Sequence, residues 1–224
     1  LADLRRDLES SKLIALDTET TSLDPMRAEL GGISLAVKEG EGYYIPIGHK
    51  GGAPQLPVMS VIDALTPALT NPIIAKVGHN IKYDAMVIEN YGLKIFPISF
   101  DTMIAGWLID PASHNLGLKD MADSLLGISM THIEELIGRG KNQICMDQVA
   151  ISSAAPYAAA DAEVTLRLVP VLKKKMEDHR CTGIFDTIET PLIPVLIDME
   201  RVGITLDADF FKKFGDEIGL RLHE

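Results

Sequence analysis

The first apolar run of the chain, Leu13-Ile14-Ala15-Leu16, has no helical spacing and leads straight into Asp17-Thr18-Glu19-Thr20. That pattern predicts a strand buried on both faces. Side chains at i and i+2 of a strand point the same way, so Asp17 and Glu19 leave its carboxyl end together. Residues Ala2 to Ser10 read as a short charged helix before it. Leu30 to Val37 predicts a second strand, with Gly31-Gly32 as a bulge or close approach. Lys38 to Gly42 reads as a turn and Tyr43 to Ile47 as a third strand, so the first three strands form a meander. Gly48 to Pro57 is rich in glycine and proline and predicts an exposed loop. Val58, Ile62, Leu65 and Leu69 recur at helical spacing, and Ile73 to Val77 reads as a short buried parallel strand. Helices and short connections alternate from there to the end. The fold class is therefore α/β: a mixed sheet of about five strands flanked by helices, with a C-terminal helical extension.

Two helices carry acidic residues on their apolar faces. Asn80 stands at the N-cap position of the first, after the strand that ends near Gly78. Ile81, Ala85 and Ile88 share a face there, and Asp84 lies beside them, inward. An inward carboxylate needs a partner, either a neighbouring backbone, Lys82, or a bound cation. In the second, Pro156 suits the first turn, and Tyr157 and Asp161 stack one turn apart. Val164, Leu168, Val171 and Leu172 continue that side, which leaves Asp161 in an apolar stripe. Tyr157 alone reads first as a core tyrosine with a satisfied hydroxyl, and its place one turn before an inward Asp weakens that reading.

Composition narrows the classes. A chain of 224 residues with 46% hydrophobic content can bury a large core. Cys145 and Cys181 are far apart, in no metal-ligand spacing, which points to structural thiols in a reducing compartment. No apolar run approaches a membrane span, and no signal-peptide pattern opens the chain. The net charge of −11 argues against a free-standing basic nucleic-acid clamp. It leaves room for contact through metals and a few side chains.

Taken together, Asp17-x-Glu19, Asn80-x-x-x-Asp84 and Tyr157-x-x-x-Asp161 resemble the three exonuclease motifs of the DEDD superfamily, in its tyrosine-bearing subclass. Within it the chain is most similar to the 3′–5′ proofreading exonuclease domain of bacterial family A polymerases, the polymerase I type. Tyr44-Ile45-Pro46, Phe100-Asp101-Thr102-Met103 and Gly138-Arg139-Gly140-Lys141-Asn142-Gln143 also look like segments of that domain. The likeness runs from about Leu13 to Glu200. Asp198-Met199-Glu200-Arg201-Val202-Gly203-Ile204 resembles the junction at which such polymerases leave the exonuclease domain. The resemblance thus implies residues 1–200 as the exonuclease domain and 201–224 as the truncated start of the connection to the polymerase thumb.

The resemblance implies a ribonuclease H-like fold and a two-metal hydrolase of phosphodiesters. Asp17, Glu19, Asp84 and Asp161 offer hard oxygen ligands suited to two Mg²⁺ or Mn²⁺ ions. By resemblance Asp17 bridges both ions, Glu19 and Asp161 complete the first site, and Asp84 serves the second. Tyr157 orients the attacking water, Leu23 wedges against the terminal base, and Thr20, His79 and Asn80 line the terminal nucleotide. The substrate implied is the 3′ end of single-stranded or frayed DNA, and the product a nucleoside monophosphate. The implied partner is a polymerase domain in the same full-length chain, with no membrane, in the cytoplasm at the nucleoid of a bacterium. His79, Ile133 and Ala160 depart from the family pattern, which has Gln, a DNA-stacking aromatic and an acidic residue there. These departures touch substrate grip and leave every metal ligand in place. Three rivals stay open: a DEDD exoribonuclease of the RNase D or oligoribonuclease type, an inactive structural module of a polymerase, and, more weakly, a phosphatase built on the first Asp.

Overall fold

The structure is a computed structural model and describes residues 1–222. Helix α1 (Ala2–Ser10) precedes strands β1 (Leu13–Thr20), β2 (Leu30–Lys38) and β3 (Glu41–Pro46). Helix α2 (Val58–Leu69), strand β4 (Ala75–Gly78), helix α3 (Ile81–Glu89), strand β5 (Ile98–Asp101) and helix α4 (Thr102–Ile109) follow. Helices α5 (Leu118–Leu126), α6 (Ile133–Ile137) and the long α7 (Ile151–Asp178) then cross one side of the molecule. After a π-helical turn at Phe185–Glu189 come α8 (Thr190–Val202) and α9 (Ala208–Leu222). His223 and Glu224, the last residues of the predicted extension, lie outside the described residues.

The sheet has the order β3-β2-β1-β4-β5. β1, β2 and β3 pair antiparallel, as the meander predicts, while β1–β4 and β4–β5 are parallel. Alternation along β1 splits the core in two. Ile14 and Leu16 pack with α1, α2, α3 and α8 on one face. Ala15 packs with Val77, Phe100 and the buried side of α5 and α7 on the other. Asp17 and Glu19 share the parity of Ala15, so they face α7; Thr18 faces α3.

Two glycines let strands and side chains meet closely. Glu19 pairs with Gly32 and Thr20 with Leu30, so Gly31 is the extra residue of a bulge. A Cβ on Gly32 would lie 2.3 Å from Cζ of Tyr44, whose ring covers it. Both features were legible in the Gly31-Gly32 pair.

Some boundaries differ from the sequence reading. Helix α7 begins at Ile151, so Pro156 sits in its interior, outside the first turn. The apolar run Ala154, Ala158, Ala162 packs the earlier turn, and helix formation spreads back from it. Ile73 is 87% exposed and precedes β4. His49 is buried inside the otherwise exposed loop, its Nε2 2.6 Å from the Tyr44 hydroxyl and its Nδ1 2.9 Å from the Val149 carbonyl. Lys76, read as part of an apolar strand, is fully buried and donates its ammonium to the carbonyls of Ala68, Asn71 and Ile74. It thereby satisfies carbonyls at the C-terminal end of α2. No helix among the described residues is long and apolar enough to cross a membrane.

Candidate active site

The site forms where β1 outruns its parallel neighbour. β4 pairs with β1 only over Leu13–Ala15 and stops at Gly78. The backbone N–H of Thr18 therefore has no strand to meet on that side. Asp84, from the first turn of α3, takes its place: Oδ1 accepts from the Thr18 N–H at 2.9 Å and from the Thr18 hydroxyl at 2.6 Å. Asp84 is buried, and its partner is this backbone and hydroxyl, while Lys82 turns outward to pair with Glu200.

On the opposite face α7 brings in Asp161. Ligand oxygens of Asp17, Glu19 and Asp161 all lie within 4.8 Å of one another. Burial, then the charges of Asp84, Glu19 and Asp161, push the Asp17 carboxyl well above the usual range. Burial, then the Asp161 charge, raises Glu19 to about 8. Burial raises Asp84 to about 7 against the pull of the two Thr18 hydrogen bonds. Asp161 is raised by burial and drawn back by Lys119. Four carboxylates that resist ionisation in one place form an oxygen-rich donor set matched to hard divalent cations.

Tyr157 lies one turn before Asp161 on α7, half-buried against the small apolar cluster of Met146, Val149 and Ala154. Burial, then the charges of Asp161, Glu19 and Asp17, push its hydroxyl far above its ordinary value, so it stays protonated.

A cleft of about 740 Å³ opens over β1 and α3, lined by Asp17, Thr18, Glu19, Thr20, Leu23, His79, Asn80, Tyr83, Asp84 and Ile133. Every nucleic-acid-contact candidate of the sequence reading is among them. Leu23 stands 96% exposed at the rim and Ile133 37% exposed. Tyr157 and Asp161 line a second, smaller hollow of about 120 Å³. His79 shares a 2.8 Å contact with the Thr102 hydroxyl, and burial followed by the Lys119 charge lowers its imidazole to about 4. It meets the cleft as a neutral ring.

The N-cap role assigned to Asn80 is corrected. Asn80 occupies the cap position in a left-handed conformation (φ 60°), and its side chain makes no capping bond. Asp101 caps instead, accepting from the N–H groups of Asn80 and Ile81 at 3.2 and 2.8 Å. The same carboxylate accepts from Met103 and Ile104 at 2.9 and 3.2 Å, capping α4 as well. An Asp between an apolar strand and Thr-Met-Ile-Ala is a readable helix-start signal; its reach to a second helix is not local information. The sequence reading missed Lys119, which lies in the first turn of α5 and donates to Asp161. It assigned no site role to Ile144, Cys145 and Met146, which also line the cleft.

The profile of a family described as 3′–5′ exonuclease matches residues 1–177. DNA polymerase I of Chloroflexus aurantiacus is 41% identical over 225 residues, covering 99% of this chain and 24% of that protein. The chain thus spans about a quarter of the length of that relative. Among solved structures, the POL domain of Pol1 from M. smegmatis in complex with DNA primer-template and dNTP superposes with a TM-score of 0.76 at 18% identity. That match covers 98% of this chain and 34% of the other. Brucella melitensis NrnC with bound Mg²⁺ superposes with a TM-score of 0.67 at 22% identity, covering 90% of this chain and 92% of the other.

Proposed function

The chain belongs to this family of 3′–5′ exonucleases, and we propose that it removes nucleotides from the 3′ end of single-stranded or frayed DNA as the proofreading part of a longer family A polymerase. The observation that carries the reading is the meeting of Asp17, Glu19 and Asp161 oxygens within 4.8 Å beside Asp84. In this reading residues 1–200 are the exonuclease domain, and 201–224 begin the connection to the polymerase domain of the same chain. In this reading the work is done in the cytoplasm, at the nucleoid of a bacterium.

Asp17, Glu19, Asp84 and Asp161 are the residues that would hold two Mg²⁺ or Mn²⁺ ions, and their oxygen-only donor set suits such hard cations. Such ions, when bound, supply Lewis-acid stabilisation of the attacking and leaving oxygens. The chain's own groups do the positioning. The protonated Tyr157 hydroxyl hydrogen-bonds the attacking water and fixes its lone pair toward phosphorus. It is a poor base by itself, since burial and the neighbouring negative charges oppose its ionisation. Thr18 holds Asp84 in one rotamer through two donors. Leu23 presents an apolar wedge to the terminal base from the rim, and Thr20, His79 and Asn80 line the place of the terminal nucleotide. Ile133 offers apolar contact at the same rim, without the face of an aromatic ring.

The test is digestion of single-stranded DNA labelled at either end, with and without Mg²⁺. Labelled mononucleotide released first from the 3′ label, and a ladder shortening toward the 5′ label, are expected only with the metal. Release of 5′-labelled mononucleotide, or metal-independent digestion, overturns the reading. A matched RNA strand hydrolysed faster than the DNA transfers the site to the exoribonuclease reading.

A further inference from the structure

Lys119 is the second residue of α5, and its side chain is only 17% exposed. Its Nζ donates to Oδ1 of Asp161 and lies 4.3 Å from the centroid of the Tyr157 ring. Neighbouring positions fix it there, because Leu118, Met121 and Ala122 are buried among the residues of α7. The ammonium thus rests on an aromatic face, with a carboxylate of the cluster as its hydrogen-bond acceptor. Among the described residues, Lys119 is the one cation whose charge opposes the repulsion at Asp17, Glu19 and Asp161. Lys82, two residues before Asp84, pairs with Glu200 instead.

We infer that Lys119 is an internal counter-ion that occupies Asp161 in the metal-free protein and is displaced when a divalent cation loads, so that it sets the metal concentration at which the site fills. This rests on the metal-binding reading of the carboxylates. Asp161 is one of the three residues whose oxygens converge, so an ammonium bonded to it stands within a few ångströms of any ion they hold. Two positive charges at such separation repel strongly where water is scarce. Each cation alone relieves the crowding of carboxylates, and each makes the other's binding weaker. In the metal-free protein Lys119 keeps α5 and α7 together over an acidic cavity. With metal present its contact with Asp161 is the weaker of the two and gives way, while the Tyr157 ring still offers the ammonium a seat.

The experiment is calorimetric titration of Mn²⁺ into wild type, Lys119→Met, Lys119→Gln and Lys119→Arg, with thermal melting of each metal-free and metal-saturated protein. Lys119→Met and Lys119→Gln are expected to bind Mn²⁺ about tenfold more tightly or better, and to melt lower without metal. Lys119→Arg is expected to stay within about threefold of wild type, because it keeps the charge. The Mg²⁺ concentration for half-maximal DNA hydrolysis should fall in parallel in the two uncharged variants. Weaker or unchanged Mn²⁺ binding in the uncharged variants overturns the inference. If Lys119→Met folds only with Mn²⁺, the same competition is read through folding; if it stays unfolded at saturating Mn²⁺ and Lys119→Gln binds no tighter than wild type, the inference fails. Absence of Mn²⁺ binding by wild type would instead remove the metal reading itself.

Discussion

Thr18 donates twice to one oxygen of Asp84: its N–H lies 2.9 Å from Oδ1 and its hydroxyl 2.6 Å from the same atom. The bond exists because β4 ends early and leaves that edge of β1 open. A residue between two motif carboxylates thereby fixes a third, carried by a helix on the other face of the sheet.

Thr18→Val keeps the shape and the N–H donor but removes the hydroxyl. One hydrogen bond of about 0.5–1.5 kcal/mol then no longer orients Asp84. Single-turnover hydrolysis at saturating Mg²⁺ should slow by about three- to tenfold, with the circular dichroism spectrum unchanged. A rate equal to wild type would mean that the backbone N–H alone positions Asp84.

The directions of Asp17, Glu19, Asp84 and Asp161 give a pH dependence of stability. All four carboxyls are raised in the folded protein, so between their ordinary values and the raised ones the folded state holds more protons than the unfolded state. Their protonation supports the fold fully below the ordinary carboxylate range. That support is lost as pH rises through about 7 for Asp84 and about 8 for Glu19. The metal-free protein should therefore lose stability from mildly acidic pH upward. A divalent ion needs the ionised forms, so the melting shift that it causes should be larger at pH about 8 than at about 5. Asp17→Ala should abolish most of the shift. A shift independent of pH, or kept in Asp17→Ala, would place the metal elsewhere.

Asp101 joins the starts of two helices with one carboxylate, through Asn80 and Ile81 on one side and Met103 and Ile104 on the other. Oδ1 accepts from Asn80, Met103 and Ile104 and Oδ2 from Ile81, so Asp101→Asn can keep the first three bonds but turns its amide NH₂ toward the Ile81 N–H. The expected loss is about 1–3 kcal/mol in urea unfolding, from the buried Ile81 N–H left without an acceptor and from weaker, uncharged capping of both helices. Activity should fall as well, because α3 carries Asp84. An unchanged unfolding midpoint would show that water replaces the carboxylate at one helix.

The legible part of this protein was whatever repeats locally. The period of two in β1 put Asp17 and Glu19 on one side, and the period of 3.6 put Tyr157 over Asp161 and turned Asp84 inward. The Gly31-Gly32 pair foretold the bulge opposite Glu19. Long-range pairings left no local mark. Lys119 reads as an ordinary helix-surface lysine until α5 is laid against α7. Lys76 looks out of place in a buried strand until α2 presents its carbonyls. Asn80 has cap chemistry, but Asp101 from the next strand reaches its helix first, and Asn80 turns left-handed, as its short polar side chain allows.

Tyr157 decides between positioning chemistry and plain packing. Its ring belongs to the cluster of Met146, Val149 and Ala154, which a phenylalanine would fill equally well. Its hydroxyl is one turn from Asp161 and is held protonated by burial and by the charges around it. Tyr157→Phe should therefore fold as wild type and bind Mn²⁺ and single-stranded DNA with unchanged affinity. Loss of one positioning hydrogen bond of about 1.5–4 kcal/mol in the transition state corresponds to roughly 10- to 1,000-fold in rate. Asp161→Ala should be slower still and should also weaken Mn²⁺ binding, because it removes a ligand oxygen from the cluster. Single-turnover digestion at saturating Mg²⁺ separates the two, since binding no longer limits the rate. Equal rates for wild type and Tyr157→Phe would return Tyr157 to the apolar cluster and leave the orientation of the water to the carboxylates.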